Sequence, residues 1–159
     1  MLADIPSTHL PIWEAAMRLG AALLFAGIIG WEREVKGRSA GLRTHMLVAL
    51  GAAGYSLLGA EYIASSQRGF RGPDASDLGR VIQAVATGVG FLGAGAIIQS
   101  GARVKGLTTA ASIWTVSAIG VACGTGFWSI AFMLTVMALM TLTLLRWLEP
   151  PPDGSTDQL

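Results

Sequence analysis

The chain has 159 residues, a formal net charge of +1, and 13% charged against 52% hydrophobic residues. The charged share is about half the ~25% of a soluble domain, and no basic cluster is dense enough to hold nucleic acid. Cys123 is the only cysteine, and His9 and His45 are the only histidines. An intrachain disulfide and a Cys-based metal cage are thereby excluded, and neither a His-rich nor any other metal site is expected.

The first predicted element is a membrane span over residues 12–31. The N-terminus lacks a basic segment ahead of a cleavage site, so this span is expected to stay in place as an anchor. Its outer turns carry Glu14 and Arg18, four apart on one helix face and able to snorkel as a pair. A charged loop is expected over 32–43, with Arg33, Lys36, Arg38 and Arg43. The second span covers 44–63. A polar connection over 65–77 follows, with Gly72-Pro73-Asp74 as its turn. The third span covers 78–98, and a short connection over 99–106 carries Arg103 and Lys105.

From Leu107 to Leu145 there are 39 residues without one Asp, Glu, Lys, Arg or His. Gly124-Thr125-Gly126 splits this run into two spans, 107–124 and 127–145, each near the ~20 residues that cross a hydrocarbon layer. The Pro-rich polar stretch over 149–159 is expected to be disordered. The fold class is therefore all-α: a polytopic transmembrane bundle of about five spans over 1–148.

Lys and Arg counts near the span ends set the orientation. One side holds Arg33, Lys36, Arg38, Arg43, Arg103, Lys105 and Arg146; the other holds Arg18, Arg68, Arg71 and Arg80. Seven against four predicts the N-terminus outside and the C-terminus in the cytosol. Trp13, Trp31, Trp128 and Trp147 fall near the predicted interfaces, where aromatic belts form. A short echo links Ala40-Gly41-Leu42-Arg43-Thr44 to Lys105-Gly106-Leu107-Thr108-Thr109, 65 residues later. It suggests that spans one-two and three-four are parallel repeats.

Two groups of residues are candidates for function. At the cytosolic entrances to spans two and four, Thr44 and Thr108 or Thr109 can cap a helix N-terminus. Gly41 and Gly106 permit close approach there, and Arg43, Arg103 and Lys105 add charge. Together they fit an anion: a lipid headgroup, a phosphate or an acidic segment. The plainer reading is that Thr and Gly start helices and the cations obey the positive-inside rule. Glu32, Arg33 and Glu34 form the second group. Two carboxylates beside a membrane surface can bind a divalent cation, but pairing of Glu32 with Lys36 and of Glu34 with Arg38 is the favoured state.

Small residues mark helix-packing faces. Ala22, Ala26 and Gly30 form one ridge on the first span. Ala86, Gly90 and Ala94 form another within the run Gly88–Gly95, which also holds Gly93 and Gly95, and Gly120 and Gly124 pair on the fourth. More such ridges exist than five helices need, so a homodimer is expected. Thr108, Ser112 and Thr115 share a hydroxyl face. No ionisable residue lies deep in a span, and no paired acids, Ser-His arrangement or metal cluster appears at a usable spacing. No catalytic residue and no cofactor are expected.

Several long motifs resemble one family. They are Gly27-Ile28-Ile29-Gly30-Trp31-Glu32-Arg33-Glu34, Ala40-Gly41-Leu42-Arg43-Thr44-His45, Gly88-Val89-Gly90-Phe91-Leu92-Gly93-Ala94-Gly95-Ala96-Ile97, and Val104-Lys105-Gly106-Leu107-Thr108-Thr109-Ala110-Ala111. Trp114, Ala118, Gly120 and Gly124 follow. The chain resembles the MgtC/SapB family of bacterial inner-membrane proteins from about Arg18 to Leu145. The resemblance implies a multi-pass plasma-membrane protein linked to growth in low magnesium and to survival inside host cells. It also implies a regulator rather than a pump, with the membrane ATP synthase as a candidate partner. Longer members carry a soluble domain after the last span, which this chain is expected to lack. The expected function is a non-enzymatic membrane regulator acting through helix contacts; the alternative is a small ion or solute transporter or channel.

Overall fold

In a computed structural model, residues 9–66, 75–100 and 103–144 are described. Among them are five helices: α1 (Ile12–Val35), α2 (Leu42–Ser66), α3 (Ala75–Ala96), α4 (Leu107–Thr125) and α5 (Trp128–Leu144). A two-stranded antiparallel ribbon joins α3 to α4, with β1 (Ile98–Ser100) paired to β2 (Arg103–Lys105). The first four helices are long and apolar enough to cross a bilayer. The shortest, at 19 residues, rises about 29 Å. The 17 described residues of α5 rise about 25 Å. The fold is an all-α transmembrane helix bundle, as expected. The turn at 72–74, the tail from 149, and Arg68, Arg71, Arg146 and Trp147 lie outside the described residues.

The helix ends differ from the sequence expectation by up to four residues, α2 and α3 each beginning earlier than expected, and two of the differences have a visible reason. First, α1 does not end at Trp31 but continues through Glu32, Arg33 and Glu34 to Val35. Hydropathy ends a span where lipid ends, whereas a helix ends where its hydrogen bonding is closed. Here Gly37 closes it: its φ of 62° is left-handed, its N–H donates to the Glu34 carbonyl at 2.9 Å, and the Arg38 N–H donates to the Arg33 carbonyl at 3.0 Å. Gly126, at φ 83°, closes α4 in the same way through Cys123 and Ala122. Second, α3 stops at Ala96 rather than residue 98, because the connection to α4 forms the ribbon instead of a plain loop.

The contacts of the small residues fix the helix directions. A Cβ built on Gly120 would lie 2.9 Å from the Ala49 Cα, and one on Gly124 would lie 2.9 Å from the Ala53 Cα. Both helices advance by four residues in the same sense, so α2 and α4 run parallel. Gly30 packs on Leu42 and Gly27 on Met46, while Gly93 packs on Ala110 and Ala96 meets Gly106, so α1 and α3 run antiparallel to them. The main core joins Ala22, Ala26 and Ile29 of α1, Ala49 and Ala53 of α2, Val116, Ile119 and Cys123 of α4, and Ala131 of α5. It is largely alanine. Lipid offers no hydrophobic drive between helices, so close van der Waals approach holds them. A second cluster joins Val85 and Val89 of α3 to Ala52 and Ile113. Leu47, Phe91, Phe132 and Met137 point outward, an arrangement that suits hydrocarbon as solvent. Trp13 and Trp31 are exposed at opposite ends of α1.

At the end of the bundle where α4 finishes, the charges serve structure. Arg18 donates to the Gly124 carbonyl at 3.0 Å and to Glu14 at 2.6 Å, placing a paired cation on the C-terminus of α4. Glu61 accepts the N–H groups of His9 and Leu10 at 2.6 and 2.9 Å, beside the start of α1.

Candidate functional site at the meeting of α1, α2 and α4

The opposite end brings together the last turn of α1 and the first turns of α2 and α4. Glu34 does not pair with Arg38. The helix ends at Val35, so these residues no longer share a helix face. The Glu34 carboxylate instead crosses the connection and accepts the Leu42 N–H at 2.8 Å. It thereby supplies the anionic cap of α2. Gly41 is required by that approach, since a Cβ there would occupy the position of the Glu34 carboxylate. Thr44 is exposed and does not serve as the cap. Glu32 pairs with Lys36, as expected, while its second oxygen, Oε2, is buried without a partner.

Beneath this cap lies a buried polar cluster. His45 is fully buried. Its Nδ1 lies 2.8 Å from the Gly41 carbonyl and its Nε2 3.0 Å from the Ser112 hydroxyl. A carbonyl only accepts, so Nδ1 carries the hydrogen, and on a neutral ring Nε2 accepts from Ser112. The Ser112 oxygen also lies 2.8 Å from the Thr109 carbonyl. Arg33, only 4% exposed, donates from one terminal nitrogen to the Thr109 hydroxyl at 3.4 Å. Its Nε has no partner. Sequence reasoning named Arg33 and Thr109 in separate groups, without their contact, and did not single out His45 or its bond to Ser112. The available signal was a histidine four residues after a helix-start glycine.

The second helix start is built differently. Gly106, at φ 91°, precedes α4, and no side chain caps that helix. Thr108 and Lys105 are exposed. Arg103 lies in β2, with its side chain outside the described residues. Arg43 is exposed in the first turn of α2. Gly41 and Gly106 occupy corresponding positions, since each carbonyl accepts the N–H four residues on, from His45 at 3.2 Å and from Ala110 at 2.8 Å. The sequence echo thus marks two helix starts at the same end of the bundle.

The small-residue ridges divide between interior and exterior. Ala22, Ala26 and Gly30 are buried, and Gly120 and Gly124 meet α2. On α3 it is Gly93, with Val85 and Val89, that faces the protein. Gly90, Ala94 and Gly95 are exposed, Ala86 is half-buried, and nothing lies within 4 Å of a Cβ built on Gly90 or Gly95. Among the described residues no helix covers Gly90 or Gly95. Of the other α4 hydroxyls, Thr115 and Ser117 each donate back to a carbonyl of their own helix.

Four apolar helices long enough to cross a bilayer, with charged side chains confined to the turns near their ends, define a multi-pass membrane protein. The family model described as "MgtC family" matches residues 19–150, and the chain belongs to that family. It is 41% identical over 136 residues to Protein MgtC of Brucella abortus, covering 86% of this chain and 53% of that protein. It is 42% identical over 130 residues to Protein MgtC of Salmonella typhimurium, covering 82% and 52%. It is 37% identical over 139 residues to the Putative magnesium transporter YhiD of Escherichia coli, covering 85% and 62%. The chain therefore spans between half and two thirds of the length of these relatives. No solved structure matches it.

Proposed function

We propose that this protein is a non-enzymatic regulator in the bacterial plasma membrane, linked to magnesium limitation and acting through helix–helix contact with a membrane partner. The observation that carries this reading is the uncovered small-residue ridge of α3, at Gly90, Ala94 and Gly95. Such ridges let a second backbone approach closely within lipid. An apolar groove of about 760 Å³ between α2 and α3 adjoins it, with Gly51, Ala52 and Gly88 in its wall. The cytosol is assigned to the end that holds Arg33, Lys36, Arg43 and Lys105, which sets the N-terminus outside. A second copy of the chain and the membrane ATP synthase are the partners to test.

A photo-crosslinker at Phe91, which is exposed beside Gly90, tests this in native membranes. The expected result is a discrete protein adduct that Gly90→Leu abolishes while leaving the bundle folded. An adduct with a second copy identifies a homodimer, and one with a larger polypeptide identifies a heteropartner. Lipid adducts alone would overturn the regulator reading.

A transporter reading follows from the name of the Escherichia coli relative. It requires a polar path, but the buried hydroxyls of Ser56, Ser117 and Thr135 all donate to carbonyls of their own helices, and that of Ser112 is engaged by His45. Magnesium flux into proteoliposomes at a defined membrane potential would establish that reading against ours.

A further inference from the structure

The two parallel helices α2 and α4 begin at the same end of the bundle, yet only one of them has its anion. Glu34 supplies a carboxylate to the Leu42 N–H at the start of α2. The start of α4 receives no side-chain acceptor. What stands there is a cation: Arg33 contacts Thr109, the third residue of α4. A guanidinium beside the positive end of a helix is repulsive on its own. It is also 96% removed from solvent by its 4% exposure, and its Nε has no partner. Among the described residues no carboxylate lies within ion-pair distance of Arg33, the two ion pairs there being Glu14–Arg18 and Glu32–Lys36. The nearby carboxylates do not fill the role. Glu34 is bound to α2, and Glu32 holds Lys36 through one oxygen while the other, Oε2, is buried without a partner.

We propose that the first turn of α4, together with Arg33, binds a phosphate-type oxyanion. The free N–H groups of a helix N-terminus and a guanidinium provide donors of the kind that chemistry needs. Gly106 lets the chain turn into α4 without a side chain at the entrance, and exposed Lys105 lies at the rim. The phosphate belongs either to a lipid headgroup at the membrane surface or to a soluble phosphate. The site is independent of the helix partner proposed above, because it lies at the bundle end and not on the α3 ridge.

Amide hydrogen exchange on the whole chain in maltoside micelles, a detergent without phosphate, tests the site. Exchange at Leu107, Thr108 and Thr109 is followed in chloride alone, with inorganic phosphate added, and with phosphatidylglycerol added. At a ligand concentration about ten times its Kd, a bound anion slows exchange there about tenfold. Slowing by inorganic phosphate identifies a soluble ligand; slowing by the phospholipid alone identifies a headgroup site. Arg33→Gln is expected to remove the slowing, and Arg43→Gln, on the exposed first turn of α2, to keep it. If Arg33→Gln fails to fold, the wild-type comparison still decides. Equal exchange in all three conditions, or slowing spread evenly along α2 and α4, would overturn the proposal.

Discussion

Gly120→Val is expected to force α2 and α4 apart and to cost about 3 kcal/mol, at the upper end for overpacking a tight interface. The new side chain meets backbone, since the Ala49 Cα and carbonyl already occupy the space. Backbone cannot move aside as the tip of a flexible side chain can. The loss should appear as earlier unfolding when maltoside micelles are titrated with a denaturing detergent. Gly90→Ala is the matched control. It places a methyl where no atom lies within 4 Å and should stay within about 0.5 kcal/mol of the parent chain. Equal effects of the two substitutions would mean that α2 and α4 do not meet through this face.

Gly106→Ala is the second large effect. At φ 91° an L-residue is strained by about 1–3 kcal/mol, and the added Cβ would also run into the Ala96 carbonyl at the end of α3. Gly37→Ala separates the two causes, because Gly37 also has a positive φ but open space around its Cβ. Gly106→Ala should therefore destabilise the bundle more than Gly37→Ala in the same detergent titration. It should also disturb the Arg33–Thr109 contact, because Gly106 sets where α4 begins. Equal losses would assign the whole effect to backbone strain and none to the packing of α3 on the start of α4.

The sequence made the membrane helices legible because lipid imposes a simple rule: a charge-free run long enough to cross must cross as helix. The rule located α2 to α4 within a few residues and split α4 from α5 at Gly126. It failed at the end of α1, where a hydrophobicity reading cannot see that Glu32, Arg33 and Glu34 continue the helix up to a left-handed glycine. Gly120 and Gly124 were legible as a packing pair, and their partners on α2 followed the same four-residue step. For Ala86, Gly90 and Ala94 the same spacing marked a smooth face but not what meets it: Ala86 is half-buried, whereas among the described residues nothing lies within 4 Å of a Cβ on Gly90. At the site, the helix-start residues were readable, whereas the donor of the α2 cap was not. Glu34 reaches Leu42 only because Gly37 reverses the chain. Likewise, His45 finds Ser112 only because α2 and α4 lie parallel, a relation that no local pattern encodes.

The most direct measurement of the central claim, a bundle threaded through the bilayer with the Arg33–His45–Thr109 end in the cytosol, is sided thiol labelling in sealed membrane vesicles. With Cys123→Ala removing the native thiol, Lys36→Cys should react with a membrane-impermeant reagent only from the cytosolic side, and Phe127→Cys only from the opposite side. Labelling of Lys36→Cys from outside, or of both positions from one side, would contradict the account.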